Sequence, residues 1–174
     1  MKWYESLEKA TQLVYQGHVY RDQGKYDEAE KMYEQVLEIY KKHFGDEHPV
    51  IADVLNYLGL VYKGQGKLVD AELMYKRALE IYKKHNDNEY LAIAGVLYNL
   101  GHVYRDQGKL VDAELMYKQA LEIYKKHHGN EDLVAGVLDS LGDVYAKQGR
   151  SADAELMYKQ AEEILRKLSE CGES

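Results

Sequence analysis

Three cationic side chains recur at one fixed interval along the chain, and two carboxylates follow them. Arg21, Lys63 and Arg105 are each 42 residues apart, and Asp139 and Asp143 occupy the corresponding stretch nearer the C-terminal end. Guanidinium and ammonium groups bind carboxylates through charge-assisted hydrogen bonds. A ligand with acidic groups toward the cations and a basic group toward the aspartates would therefore fit this arrangement.

Sequence patterns of enzymes and of metal sites are absent. The chain has no GxSxG, no GxxxxGK[ST] and no Cys–His nucleophile arrangement. His43, His85 and His127 recur once per interval at predicted helix ends, where dipole and capping roles explain them. His18 and His102 lie in alternate intervals, too far apart to share an ion. We predict no catalytic residues, no bound metal and no cofactor.

The elements that must position these residues are four copies of one unit. Steps of 42, 42 and 41 residues separate Gly17, Gly59, Gly101 and Gly142. Within a copy, apolar residues at i, i+3 and i+7 mark one helix, and a second apolar run marks another. Gly64-Gln65-Gly66 separates the two runs, so each copy is a predicted helix–turn–helix. We expect helices over Trp3–Gln23 and Tyr26–His43 in the first copy.

One motif carries a family resemblance. Leu97, Leu100, Gly101 and Tyr104, followed by Ala113 and Tyr117, form the pattern L-x2-L-G-x2-Y and A-x3-Y, which resembles the tetratricopeptide repeat. The usual period is about 34 residues, and these longer copies most resemble the kinesin light chain type. The resemblance implies an all-α, right-handed α-solenoid (superhelix) of four such repeats. The near-identity of the copies also fits a consensus or designed array.

The copies divide the chain into one array over residues 1–174. We place the repeats at approximately 3–45, 46–87, 88–129 and 130–168, with a frayed tail at 169–174. Gln16 and Glu162 replace leucines of the inner copies at opposite ends, which is typical of terminal repeats exposed to water. Asp and Asn side chains in the joints (Asp46, Asn86-Asp87-Asn88 and Asn130) are expected to cap the next helix. Gly59, on the apolar face, is expected to let the paired helix approach closely.

Composition excludes several classes of partner. The formal net charge is −7, with both signs mixed along the helices, which argues against nucleic acid. No apolar run approaches the roughly 20 residues that cross a bilayer, and the start has no signal-peptide core. We therefore expect no membrane partner and a cytoplasmic location. The lone Cys171 is interpreted as an incidental free thiol.

The resemblance implies that the first helix of each repeat lines the concave side. Residues about 150° round these helices from the packed stripe differ between copies, whereas the framework hardly changes. This pattern predicts a peptide-binding groove; drift on a solvent-exposed face is the alternative interpretation. Tyr98 is expected to form an aromatic wall beside a gap at Gly95. The groove residues are Val14, Tyr15, His18, Arg21, Asn56, Tyr57, Leu60, Lys63, Tyr98, Asn99, His102, Arg105, Asp139 and Asp143.

The predicted function is a non-enzymatic scaffold that binds an extended peptide or short helix of a partner protein, acidic toward repeats 1–3. The carboxylate clamp of chaperone-binding relatives is absent, since Asn99 alone matches it. The acidic, tryptophan-containing cargo peptides of kinesin light chains suit the basic row but not Asp139 and Asp143. Two alternatives remain: a self-associating structural module that dimerises through its end repeats, and an engineered or consensus scaffold without a natural ligand.

Overall fold

The computed structural model describes residues 3–85, 89–127 and 129–172, and every regular element within them is an α-helix. The predicted all-α fold class is confirmed. The helices form four consecutive hairpins, and the first two begin at the predicted residues and end within one residue of the predicted ends. The elements are α1 (Trp3–Asp22), α2 (Tyr26–Phe44), α3 (Pro49–Gly64), α4 (Leu68–Lys84), α5 (Tyr90–Asp106), α6 (Leu110–Lys126), α7 (Glu131–Lys147) and α8 (Ser151–Gly172).

The hairpins fall into two compact units, Met1–Glu89 with α1–α4 and Tyr90–Ser174 with α5–α8. We call them unit 1 and unit 2. In unit 1, α2 packs against both α1 and α3; in unit 2, α6 packs against both α5 and α7. A core of small and β-branched side chains joins the first three helices. It includes Ala10 and Leu13 of α1, Ala29, Tyr33 and Val36 of α2, and Val54, Leu58 and Val61 of α3.

Each first helix ends in the same backbone turn. At the end of α3, Gly66 has φ of 76°, which a residue with a Cβ adopts only with strain. Its N–H donates to the Lys63 carbonyl (3.0 Å), and the Lys67 N–H donates to the Tyr62 carbonyl (2.8 Å). This is the Schellman arrangement, which satisfies the last carbonyls of a helix. Equivalent bonds follow α1, α5 and α7, so the turn fixes how each pair of helices meets.

The close approach predicted at Gly59 is confirmed. A Cβ on Gly59 would lie 2.5 Å from the Tyr75 ring of the paired helix. Gly17 meets Tyr33 in the same way, with 2.6 Å from the Cβ position to the ring, and the glycines of the other hairpins meet Tyr117 and Tyr158. The glycine therefore provides the space into which the aromatic ring packs.

The outer faces of the end helices are polar, as predicted. Gln16 is exposed on α1, whereas Leu58 at the equivalent position of α3 is 2% exposed. Glu162 is exposed on α8, whereas Leu79 is 7% exposed. The polar replacements thus lie where no helix covers the terminal hairpins.

The predicted capping by joint Asp and Asn residues is wrong where the structure describes it. His48 caps α3, because its Nδ1 accepts from the Val50 N–H (3.3 Å), while Asp46 pairs with Lys41 (3.2 Å). Asn130 makes no side-chain cap bond to α7; its amide donates to the His127 carbonyl (2.7 Å). Residues 86–88 lie outside the described residues. An imidazole acceptor positioned by Pro49 replaces the expected carboxylate.

The predicted frayed tail begins within a helix. α8 continues to Gly172, so residues 169–172 are helical, and residues 173 and 174 lie outside the described range. The Ser169 hydroxyl donates to the Arg166 carbonyl (2.7 Å), and Arg166 pairs with Glu170 (2.8 Å). These contacts between neighbouring turns extend the helix beyond the four-hairpin pattern.

Candidate functional site

All of the predicted groove residues lie on the first helices of the hairpins. We call the set on α1 and α3 the unit 1 surface and the set on α5 and α7 the unit 2 surface. The unit 1 surface comprises Val14, Tyr15, His18, Arg21, Asn56, Tyr57, Leu60 and Lys63, and the unit 2 surface comprises Tyr98, Asn99, His102, Arg105, Asp139 and Asp143.

The centre of the unit 1 surface is an aromatic cluster that joins three helices. The His18 ring of α1 meets the Tyr57 ring of α3 edge-on, with 4.7 Å between centroids. Its Nδ1 shares a hydrogen bond of 2.7 Å with the hydroxyl of Tyr33, which lies on α2. The Tyr33 and Tyr57 rings are 5.4 Å apart. The predicted residues His18 and Tyr57 are therefore brought together, across two helices.

Arg21 is the cation beside this cluster. Its guanidinium donates to Asp22 through Nε (3.0 Å) and Nη2 (2.8 Å), and its side chain is 26% exposed. Burial lowers the pKa of His18, and the neighbouring Arg21 charge lowers the pKa further. His18 is therefore neutral at neutral pH, and the positive charge at this point comes from Arg21. Arg21 also lies in the last turn of α1, where it favours the negative end of the helix dipole.

The other unit 1 positions differ in exposure. Val14 packs against the core of unit 1 and contributes more to stability than to an open surface. Tyr15 is 70% exposed and is the aromatic ring of this set most available to a partner. Asn56, Leu60 and Lys63 are half-buried.

The unit 2 surface is held together by Tyr98. Its hydroxyl lies 3.1 Å from Ser140 Oγ and donates to the Gly136 carbonyl at 3.4 Å, which links α5 to α7. The predicted gap beside Tyr98 at Gly95 is wrong. The Tyr124 hydroxyl would lie 3.7 Å from a Cβ placed on Gly95, so the space is already occupied from the paired helix.

Positive and negative groups meet on the unit 2 surface. The Arg105 guanidinium donates to Asp106 (3.2 and 3.1 Å) and lies 3.9 Å from the Asp143 carboxylate of α7. Asp143 also accepts from the Tyr158 hydroxyl (2.8 Å). Partial burial and the Asp143 charge raise the pKa of Asp139. Leu60 occupies the position of Asp143 in unit 1, so Arg21 faces no equivalent carboxylate.

Sequence reasoning missed a second task of these surface residues, which is to satisfy buried hydroxyls. The tyrosine 15 residues later in each copy presents its hydroxyl to the surface position: Tyr33 to His18, Tyr117 to His102 (2.8 Å) and Tyr158 to Asp143. Leu60 has no polar atom, and the Tyr75 hydroxyl is buried without a hydrogen-bond partner among the described residues. The constant offset of 15, with a polar partner in three of four copies, was the available signal.

We expect removal of this hydroxyl to have opposite effects in two copies. Tyr117→Phe loses the bond to His102 and should lower the free energy of unfolding by about 1 kcal/mol. Tyr75→Phe removes a buried hydroxyl without a partner and should raise it by up to about 1 kcal/mol. Thermal and denaturant unfolding of both variants measures the difference. Equal losses in the two variants would show that the Tyr75 hydroxyl is satisfied in solution.

Metal and membrane chemistry find no support in the described part of the chain. There, no group of three or more His, Cys, Asp or Glu side chains is arranged to hold a metal ion. Within the same residues, no helix combines the length and the apolar character needed to cross a bilayer.

Comparison with known proteins identifies the repeat. The family model described as Tetratricopeptide repeat matches residues 9–84 and 92–167. No curated protein matches the sequence.

Several solved structures share the fold. BtubC (BKLC) from P. vanneervenii has a TM-score of 0.84 and 26% identity over 92% of this chain and 64% of its own. A putative kinesin light chain with nearly identical TPR-like repeats from Podosopora anserina has a TM-score of 0.75 and 21% identity, covering 92% and 76%. The apo form of RapI has a TM-score of 0.81 and 22% identity, covering 94% and 58%. The chain thus spans less than two thirds of BtubC and RapI, and its likeness includes the predicted kinesin light chain type.

Proposed function

Because the chain belongs to the tetratricopeptide repeat family, we propose that it binds an extended peptide or short helix of a partner protein on the first helices of its units. Proteins of this family are generally non-enzymatic scaffolds for protein–protein interaction, and repeat arrays use extended surfaces for it. An extended segment or amphipathic helix is the ligand that such surfaces take.

The observation that carries the proposal is the setting of Arg21 on the unit 1 surface. The guanidinium lies beside the aromatic pair His18 and Tyr57, and the position opposite it on α3 is the apolar Leu60. Asp22, its salt-bridge partner, is an exposed neighbour in sequence and offsets only part of the charge. A segment with a carboxylate next to an apolar or aromatic side chain would contact both features. The unit 1 surface therefore favours an acidic, partly apolar segment.

The unit 2 surface favours a different group. Asp143 already lies near Arg105, and Asp139 is exposed on the same helix. The net charge offered to a ligand there is lower than on unit 1 and includes a place for a basic side chain. A partner with an acidic part for unit 1 and a mixed or basic part for unit 2 fits the two surfaces.

Calorimetry with an acidic peptide selected on a peptide array tests the proposal. Arg21→Glu should weaken binding at least tenfold, because it replaces an attracting charge by a repelling one. Arg105→Glu should have a smaller effect, about threefold, because Asp143 and Asp106 already neutralise much of that charge. Lys31→Glu is the control, since Lys31 is exposed on α2 and its substitution changes net charge equally. Equal affinity of the Arg21→Glu and Lys31→Glu variants would contradict the proposal.

Exposed apolar residues on α8 favour a second candidate function, which is self-association. Leu165 is 48% exposed and Tyr158 is 38% exposed, whereas Tyr124 and Tyr117 at the equivalent positions of α6 are buried beneath neighbouring helices. Light scattering after size exclusion separates the candidates. A dimer that Leu165→Glu converts to monomer would support assembly through α8, and a monomer at all concentrations would exclude it.

A further inference from the structure

A cavity of about 330 Å³ lies between the start of α1 and the end of α2 in unit 1. Its lining residues are Trp3, Ser6, Lys9, Ile39, Lys42 and His43. We propose that this cavity binds a carboxylate attached to an apolar group of amino-acid size, such as the C-terminal residue of a peptide. It is separate from the unit 1 surface, because none of its lining residues belongs to that set. Its volume is at the lower end of the range that small-molecule sites occupy.

The equivalent corner of the second hairpin shows how the repeat normally fills this position. There Ile51 is 2% exposed and Ile81 is fully buried. The Glu47 carboxylate accepts from Arg77 and from Lys84 (2.7 Å), so the cations are neutralised from within. Apolar packing and an internal carboxylate together close the corner.

In the first hairpin both of these features are changed. Lys9 stands where α3 has Ile51, so a charged side chain replaces the one that fills the second corner. Ile39, the equivalent of Ile81, remains half-buried and forms an apolar part of the cavity wall. The first corner is therefore open, and its wall is partly apolar.

The cations of this cavity are also unneutralised. Neither Lys9 nor Lys42 forms an ion pair with the described residues, and no carboxylate is among the lining residues. Lys41, one residue from Lys42, pairs instead with Asp46 (3.2 Å) and lies outside the cavity lining. Two ammonium groups beside an apolar wall supply the charge that a bound carboxylate needs.

One wall of the cavity is fixed by a hydrogen-bonded pair. The Ser6 hydroxyl donates its single proton to the Trp3 carbonyl (2.8 Å). Its oxygen therefore accepts from Nε2–H of His43 at 2.6 Å. This bond holds the His43 ring of α2 against α1 and leaves the ammonium groups of Lys9 and Lys42 to bind the ligand. The Trp3 ring, 68% exposed, provides an aromatic edge that an apolar side chain can cover.

The experiment uses Trp3 as the reporter, because it is the single tryptophan of the chain. Titrations of the full chain with N-acetylleucine and with N-acetylleucinamide follow the indole N–H resonance and the intrinsic fluorescence. We expect saturable changes with N-acetylleucine and at least tenfold weaker binding of the uncharged amide. A third titration with 4-methylpentanoate distinguishes the two sources of this chemistry. Weaker binding of that acid assigns the cavity to peptide C-termini, and equal binding assigns it to alkyl carboxylates in general.

A matched pair of variants tests the assignment of the charge. Lys42→Glu should weaken N-acetylleucine binding at least tenfold, whereas Lys41→Glu should change it less than twofold. Both variants alter net charge equally and replace exposed side chains. No indole response to N-acetylleucine, equal binding of the amide, or equal effects of the two substitutions would overturn the proposal. Arg21→Glu should leave this binding unchanged, so the outcome is independent of the function proposed for the unit 1 surface.

Discussion

Replacing Leu58 by glutamine is expected to lower the free energy of unfolding by about 3 kcal/mol. Leu58 is 2% exposed and belongs to the core that joins α1, α2 and α3. The variant loses apolar burial and places an amide where its donors and acceptor find no partner. For a chain of this length the loss corresponds to a fall in melting temperature of about 6–12 °C, which circular dichroism at 222 nm measures.

The reverse substitution at the equivalent position is the control. Gln16 is exposed on α1, so Gln16→Leu should change stability by less than about 0.5 kcal/mol. The pair tests whether the first hairpin really has a face that no other helix covers. A large gain from Gln16→Leu, or a small loss from Leu58→Gln, would contradict the exposure of α1.

The second large effect is expected from Gly59→Ala. The new Cβ would lie 2.5 Å from the ring of Tyr75, which is fully buried and has no room to move. Overpacking of this kind costs about 1–3 kcal/mol, and the better helix propensity of alanine offsets up to about 1 kcal/mol of it. We expect a net loss of about 2 kcal/mol in the free energy of unfolding, measured by denaturant titration.

Gly142→Ala provides the comparison within the same chain. Its Cβ would also meet a tyrosine ring, but Tyr158 is 38% exposed and can turn toward solvent. The substitution should therefore cost less than about 1 kcal/mol and may not be replaced by a simple propensity argument, since the Tyr158 bond to Asp143 is then strained. Equal losses at Gly59 and Gly142 would show that burial of the partner ring does not decide the cost.

The repeat itself was predictable because its determinants are local and stated four times. The spacing of Gly59 and the apolar positions around it follows helical geometry, so the hairpins and the close glycine–tyrosine contact could be derived before any coordinates. The turn at Gly66 likewise depends on one residue with positive φ. Errors of one residue at the helix ends are the ordinary result of frayed termini.

The details of the surfaces could not be derived in this way, because they depend on where side chains point across helices. The hydrogen bond from Tyr33 to His18 and the ion pair of Arg105 with Asp143 each join different helices. The capping role of His48 depends on the rotamer that Pro49 and α3 impose. Periodicity indicates the face on which a residue lies and does not specify its partner.

The cavity at the start of α1 illustrates the same limit. Lys9 was recognisable as a departure from the isoleucine of the second copy, since Ile51 stands 42 residues later. Its consequence depended on the absence of a neutralising carboxylate such as Glu47, which only the assembled corner reveals.

The most direct measurement of the central claim is an NMR titration of the ¹⁵N-labelled chain with the acidic peptide selected on the array. The proposed function predicts that the largest amide shifts in unit 1 occur at His18, Tyr57 and Leu60 on α1 and α3. Shifts confined to exposed residues of the second helices, such as Val69 and Leu73 on α4, with those three residues unchanged, would contradict it.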